Sequence, residues 1–409
     1  MSAIAIELAD GRTISGSCDA QFTGVLAEFR RNFEERKEVG ASVAITLGGR
    51  LVVDLWGGEA RPATGEDAAE PWARDTVSIV YSCTKAATAL CLHQLVDQGK
   101  ISYETLVGDI WPDFASGGKE ATTVGMMLAH TSPVPHLRDP IRTGGLADWD
   151  YMTARVAAEP AHWEPGTRQG YHGVTYAWTV GQIVRLVAGM PMGQYFRETI
   201  AGPLGLDFHI GLPESEEPRV APMIAPDPAE VNFTSAFFRA ATTQPGSLPN
   251  LFLTNLGGAD FNSREVHAAE IGSANGITNA RGLAGMYAPL ANGGGTLLSQ
   301  TRVHRMGRVS AATHSDAVLC QPMRFAMGFM MSTDNRESGA DSLILGESAF
   351  GHVGMGGSVG FADPAQGLSM GYTMNRMGAG ILVNARGQAL IDAAYRAVGM
   401  ASDASGAWR

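Results

Sequence analysis

The residues best suited to covalent chemistry are Ser82 and Lys85, which stand three positions apart. The stretch 82–98 is rich in alanine and has no breaker before Gly99, which predicts a helix. On a helix, positions i and i+3 share one face, with β-carbons about 5–6 Å apart. A serine hydroxyl becomes an effective nucleophile when a base takes its proton, and a desolvated lysine amine can be that base. The pair therefore indicates nucleophilic catalysis.

The surroundings of this pair favour catalysis over a structural role. Ser82 stands at the predicted helix start, where the helix dipole favours negative charge on oxygen. The structural alternative is that Ser82 caps the helix and Lys85 is solvated. Almost no polar residue follows Lys85 before His93, which predicts a buried helix rather than a solvated one. Cys83 points away from the shared face and is expected to be a packed thiol.

Two other serine motifs are not expected to supply the nucleophile. Ser116 and Lys119 have the same spacing, but the two glycines between them predict a loop. The run around Ser358 matches Gly-x-Ser-x-Gly, which in an α/β-hydrolase needs a following helix and a later histidine. No histidine follows Ser358, and the next residues predict a strand and a turn. Ser358 is therefore expected to be a turn or strand residue.

Composition excludes several function classes. The chain has 409 residues, 45% hydrophobic and 17% charged, with a net charge of −11 that disfavours nucleic acid and anionic membranes. The four cysteines and ten histidines lack metal-ligand spacing, so neither a metal nor a cofactor is expected. With no signal segment and no apolar run of membrane-spanning length, we expect a cytoplasmic protein without a membrane partner.

The order of elements predicts an α+β fold. The runs 42–47 and 51–56 flank Gly48-Gly49, a hairpin signal. The region 211–262 is rich in proline and predicts long loops, although 233–238 is apolar enough to line an acyl pocket or to join the core. A strand is predicted at 325–331 and a helix at the carboxyl end. One sheet domain is expected from 1–105 plus 275–409 and a mostly helical domain from 106–274, with the active site between them.

Several segments in order resemble one known superfamily. The chain resembles the serine β-lactamases and penicillin-binding proteins, most closely class C β-lactamases and family VIII carboxylesterases, over roughly 20–400. The segments that carry the resemblance are Ser82-Cys83-Thr84-Lys85, Leu128-Ala129-His130-Thr131-Ser132, Pro165-Gly166-Thr167 through Tyr171, Gly202-Pro203-Leu204-Gly205-Leu206, Asn275-Gly276-Ile277 and Gly351-His352-Val353-Gly354. The fold implied is an antiparallel sheet flanked by helices.

The resemblance also implies roles for individual residues. Ser82 would be acylated, Lys85 would assist in removing its proton, and Tyr171 would be the second acid and base. A Lys85 ammonium would lower the pKa of Tyr171 toward working pH. The backbone N–H groups of Ser82 and Met355 would form the oxyanion hole.

Two departures from the family pattern bear on the substrate. The family's Tyr-x-Asn is Tyr171-His172-Gly173 here, and its Lys-Thr-Gly is His352-Val353-Gly354, with a titratable imidazole for a fixed cation. His172, His352 and Gly354 are the expected substrate-binding residues, and a structural hydrogen bond is the alternative role for each histidine. Family VIII esterases tolerate such changes.

These observations predict a serine carboxylesterase that cleaves small or short-chain esters through an acyl-enzyme. A β-lactamase, a D-amino-acid peptidase or amidase, or an acyltransferase would use the same three residues. An inactive ligand-binding homologue is the alternative of another class. The expected partner is a small ester, and the sequence does not indicate an oligomeric state.

Overall fold

The computed structural model describes residues 1–65, 67–402 and 408. Its strands are β1 (Ser2–Glu7), β2 (Thr13–Cys18), β3 (Gly40–Leu47), β4 (Arg50–Arg61), β5 (Glu70–Pro71), β6 (Ser78–Ile79), β7 (Phe208–His209), β8 (Ile277–Thr278), β9 (Ala311–Thr313), β10 (Met323–Ala326), β11 (Phe329–Met331), β12 (Phe350–Val353), β13 (Val359–Asp363) and β14 (Leu368–Met374).

The α-helices connect and cover these strands. They are α1 (Thr23–Glu35), α2 (Thr84–Asp97), α3 (Val107–Ile110), α4 (Val124–Leu128), α5 (Trp149–Ala158), α6 (Tyr176–Ala188), α7 (Met192–Phe196), α8 (Ala236–Thr243), α9 (Leu248–Thr254), α10 (Arg264–Ala268), α11 (Ala280–Ala291), α12 (Gln300–Met306) and α13 (Ala385–Ala397).

The main sheet is built from both ends of the chain. Its order is β1-β2-β4-β3-β14-β13-β12-β11-β10-β9, with β5 paired to β4, and every pairing is antiparallel. The two halves meet where β3 pairs with β14, with Ile45 opposite Met370. Helix α1 packs against α13, and α11 packs against β3, β13 and β14. The predicted α+β class, an antiparallel sheet flanked by helices, is confirmed.

Two large buried apolar clusters form most of the core. One lies between the main sheet and helices α1 and α13. The other surrounds α2 and α6, which are buried along most of their length. Helix α2 therefore lies inside the protein, as its apolar sequence predicts.

The predicted hairpin is present because glycine supplies the backbone conformation that its turn needs. Gly48 and Gly49 have φ of 58° and 76°, and the turn joins β3 directly to β4. Both central residues of a type I′ turn require positive φ, which glycine adopts without steric cost.

Three local predictions were wrong. The predicted strand 325–331 is the hairpin of β10 and β11, because Gly328 turns the chain with a φ of 83°. The region 211–262 contains α8 and α9 rather than loops alone, each begun by a serine whose hydroxyl accepts from a backbone N–H. Helix α2 begins at Thr84 rather than at Ser82.

The segment 106–274 holds helices α3 to α10 and the short strand β7. Its treatment as a separate domain stays a prediction. No helix in the described ranges combines the length and the apolar character needed to cross a membrane.

Candidate active site

Ser82 lies in a tight turn that leads into α2. Thr84 N donates to Tyr81 O at 2.9 Å and Lys85 N donates to Ser82 O at 3.1 Å, so the first helical turn forms around the serine. Tyr81 has a φ of 43°, a left-handed conformation that is costly for a bulky residue. Such strain persists where the surroundings enforce it, and it is concentrated at functional sites. Ser82 itself is half-buried, whereas the helix behind it is buried.

Lys85 is fully buried beside Ser82. Its Nζ lies 3.1 Å from Ser82 Oγ and donates to Ser273 O at 2.9 Å. No carboxylate among the described residues offsets a charge on this amine. Burial therefore lowers the pKa of Lys85 well below its usual value. A neutral amine next to a hydroxyl can accept its proton.

Tyr171 completes the group of three. Lys85 Nζ lies 4.8 Å from the centroid of the Tyr171 ring, which is only 3% exposed. Burial raises the pKa of Tyr171, opposed in part by the interaction of the phenol with Ser82. The expectation that a Lys85 ammonium lowers the pKa of Tyr171 is wrong, because the lysine is itself desolvated. Tyr171 thus stays a phenol, able to donate a hydrogen bond.

Asp316 fixes the backbone of Tyr171. Its Oδ1 accepts from Tyr171 N at 3.0 Å and from the N–H groups of Val318 and Leu319 at 2.9 Å each. The carboxyl is 1% exposed, and Oδ2 has no partner in the described part of the chain. Burial raises the pKa of Asp316 to about 6. Sequence reasoning missed this residue, since no local motif links it to Tyr171, 145 positions away.

Two backbone N–H groups at the site lack partners. Neither Ser82 N nor Met355 N donates a hydrogen bond to any described residue. The turn that carries Met355 lies against the backbone before Ser82, since a β-carbon on Gly354 would come within 2.2 Å of Val80 O. Free N–H groups at the nucleophile are what an oxyanion hole requires.

His172 lies behind the site rather than on its open face. The ring is buried, with Nε2 2.7 Å from Ser132 Oγ and Nδ1 2.8 Å from Gly170 O. Its backbone N–H donates to His130 Nδ1 at 3.1 Å. With both ring nitrogens occupied, His172 holds the loop that carries Tyr171, and the expected contact with substrate is not supported.

His352 is buried with one free nitrogen. Its Nδ1 lies 2.8 Å from Val353 O, whereas Nε2 has no partner in the described ranges. Burial, and then the nearby Lys85, lower the pKa of His352 to about 3. The imidazole is therefore neutral at pH 7, contrary to the expectation that a titratable group replaces the family's fixed cation.

Gly354 contributes space rather than a donor. Its N–H already donates to Ser358 O at 2.8 Å, and a β-carbon there would lie 2.2 Å from Ser358 Oγ. Ser358 is buried, and its hydroxyl donates to Val80 O at 3.1 Å. Gly354 thus permits the close packing of this turn, and Ser358 has the structural role expected for it.

Cys83 is a buried thiol that packs away from the site. Its Sγ donates to His352 O at 3.2 Å, and burial raises the pKa of the thiol to about 12. A thiol with so high a pKa is not a nucleophile at neutral pH.

A phenyl ring stands where the family places an amide. A β-carbon on Gly173 would lie 2.4 and 2.5 Å from two ring atoms of Phe252. The Phe252 ring lies 6.1 Å from the Tyr171 ring and 5.6 Å from the Phe237 ring. Phe237 and Phe238 line a cavity of 470 Å³, so part of the apolar run 233–238 lines a cavity.

The described ranges hold no group of three or more histidine, cysteine, aspartate or glutamate residues that could hold a metal ion.

Comparison with known proteins places this arrangement in a family. Residues 29–394 match the Beta-lactamase family model. The chain is 34% identical over 379 residues to the Esterase/beta-lactamase LipL of Mycobacterium tuberculosis, covering 90% of this chain and 84% of that one.

Solved structures agree with this match. A family VIII carboxylesterase is 38% identical, with a TM-score of 0.80 over 94% of this chain and 99% of that one. A penicillin-binding protein homologue from Caulobacter crescentus is 35% identical, with a TM-score of 0.80 and the same coverage. The chain therefore belongs to the beta-lactamase family and is a serine hydrolase of the beta-lactamase fold.

Proposed function

We propose that this protein is a carboxylesterase that cleaves small or short-chain esters through an acyl-enzyme on Ser82. The observation that carries the proposal is the fully buried Lys85 amine, 3.1 Å from Ser82 Oγ and without a carboxylate partner in the described chain. An amine held neutral beside a hydroxyl has the lone pair that general-base catalysis needs.

In the acylation step, Ser82 Oγ attacks the ester carbonyl and its proton passes to Lys85 Nζ. The N–H groups of Ser82 and Met355 donate to the oxyanion, a contribution of about 3–4 kcal/mol per donor in comparable sites. The intermediate collapses by breaking the bond to the alkoxy oxygen. Tyr171 relays the proton from Lys85 to that oxygen, and the alcohol leaves.

Deacylation follows the reverse proton path. Water attacks the acyl carbonyl, and its proton passes through Tyr171 to Lys85. Ser82 Oγ then leaves the carbonyl and takes the proton back, which releases the carboxylic acid and restores the neutral amine.

Two features favour esters over β-lactams. The Phe252 ring occupies the space beside Gly173 where the family's amide would hold a β-lactam side chain. His352 is neutral, so it supplies no cation for the carboxylate that β-lactams carry. The similar family VIII carboxylesterase is consistent with this preference, and LipL is named both an esterase and a beta-lactamase.

Hydrolysis of 4-nitrophenyl butyrate by wild type and by Ser82→Ala tests the proposal, with a chromogenic cephalosporin as the competing substrate. Ser116→Ala is the matched control, since Ser116 belongs to the second Ser-x-x-Lys and is itself exposed. Ester hydrolysis lost in Ser82→Ala and retained in Ser116→Ala is expected. Faster turnover of the cephalosporin than of the ester by wild type would contradict the proposal.

A further inference from the structure

We propose that Phe252 limits the length of the acyl group that the enzyme accepts, so that its substrates are esters of short-chain acids. This inference rests on the proposed function, because it assumes that the acyl group of an ester lies beside Tyr171.

The Phe252 ring lies directly against the backbone of the Tyr171 loop. The 2.4 and 2.5 Å distances from a β-carbon built on Gly173 mean that the ring fills the space into which any side chain at 173 would project. Only glycine fits there with this ring in place. The Phe252 side chain thus occupies the subsite next to the Tyr171 phenol.

Phe252 also contacts a residue that lines the 470 Å³ cavity. Its ring is 6.1 Å from the Tyr171 ring and 5.6 Å from the Phe237 ring. Phe237 lines the cavity together with Phe238 and Leu319. Leu319 in turn donates its N–H to Asp316, which holds Tyr171. Phe237 and Leu319 thus link the cavity wall to the residues that surround Tyr171.

This arrangement makes the side chain at 252 a size filter. An acetyl or butyryl group needs little room beyond the reacting carbonyl, whereas an octanoyl chain must displace the phenyl ring or leave the site. A side chain that blocks apolar volume changes kcat/KM by about tenfold or more for each methylene group excluded. Removing the ring frees apolar space beside Gly173 and Tyr171, into which a longer alkyl chain can extend.

The test measures kcat/KM for 4-nitrophenyl acetate and octanoate with wild type and Phe252→Ala. We expect the octanoate-to-acetate ratio to rise about tenfold or more in Phe252→Ala. Phe233→Ala is the matched control, because Phe233 belongs to the same aromatic cluster but is 55% exposed and contacts Phe238 rather than Tyr171. Its ratio is expected to equal that of wild type.

A ratio in Phe252→Ala equal to that of wild type overturns the inference, as does an equal rise in Phe233→Ala. If Phe252→Ala does not fold, Phe252→Leu decides: a raised ratio supports the size filter and an unchanged ratio overturns it. Failure of the proposed function gives a different result, since wild type would then hydrolyse neither ester.

Discussion

Lys85 Nζ and Ser82 Oγ lie 3.1 Å apart in a pocket where the amine is fully buried and its pKa is lowered well below the usual value. Under the proposed function, this relationship lets a helix lysine act as the base. The buried amine lowers the free energy of unfolding, because in the folded protein it does not readily take up the proton that it carries in the unfolded chain. Activity and stability are therefore opposed at residue 85.

Lys85→Met separates these two effects. Loss of the base is expected to lower kcat for a nitrophenyl ester by about 10²–10⁴-fold. The folded pKa of Lys85 lies below the ordinary value of 10.5, so unfolding takes up a proton between those values and the wild-type free energy of unfolding rises with pH in that window. Urea denaturation should thus find the variant more stable than wild type at pH 7, with a smaller difference at pH 10. An inactive variant that is less stable at pH 7 would contradict this.

Tyr171→Phe tests the phenol as a proton relay. Burial raises the pKa of Tyr171, so the group is a phenol throughout the neutral range. We expect kcat to fall about 10²-fold or more, because the relay is lost while the ring remains. An ultraviolet difference titration of wild type against the variant should show no additional phenolate below pH 11. A phenolate that appears near pH 8 would refute the assignment.

Asp316→Asn tests the protonation state of the buried carboxyl that accepts a hydrogen bond from the backbone of Tyr171. Asparagine keeps an oxygen for the three backbone N–H groups but removes the buried charge. The pKa of Asp316 is raised from 3.8 to about 6, so the folded protein holds a proton that the unfolded chain has lost between those values. The stability of wild type relative to the variant should therefore fall as pH rises from 4 to 6, by at most about 3 kcal/mol.

Chemical denaturation of wild type and Asp316→Asn at pH 4.5 and pH 7.5 measures this difference. A difference in unfolding free energy that is the same at both pH values would show that the carboxyl is not the titrating group.

Met355→Pro tests the oxyanion hole, since proline removes the backbone N–H that is free in the described structure. Loss of one such donor lowers kcat by about 10²–10³-fold. Met355→Ala keeps the N–H group and is expected to retain most activity, with circular dichroism to verify that both variants fold. Equal activity of the two variants would exclude this N–H from catalysis.

The sequence predicts best what depends on neighbouring residues. Gly48-Gly49 specifies a turn by its own conformational freedom, and the side chain of Asn279 begins α11 by accepting from Gly282 N at 3.1 Å. The spacing of Ser82 and Lys85 likewise places them together almost regardless of the rest of the fold.

Long-range contacts are what the sequence alone does not reveal. Asp316 reaches Tyr171 across the chain, and Phe252 reaches Gly173 from a region predicted to be loops. The burial of His172 and His352 depends on the packing of several segments around them, so their neutral state could not be foreseen from residue type.

The central claim is that Ser82 forms the acyl-enzyme, and the most direct measurement is mass spectrometry of the protein after reaction with a fluorophosphonate. The account predicts a single adduct on the peptide that contains Ser82, retained in Ser358→Ala and absent from Ser82→Ala. An adduct on another serine of wild type, or one that survives Ser82→Ala, would contradict it.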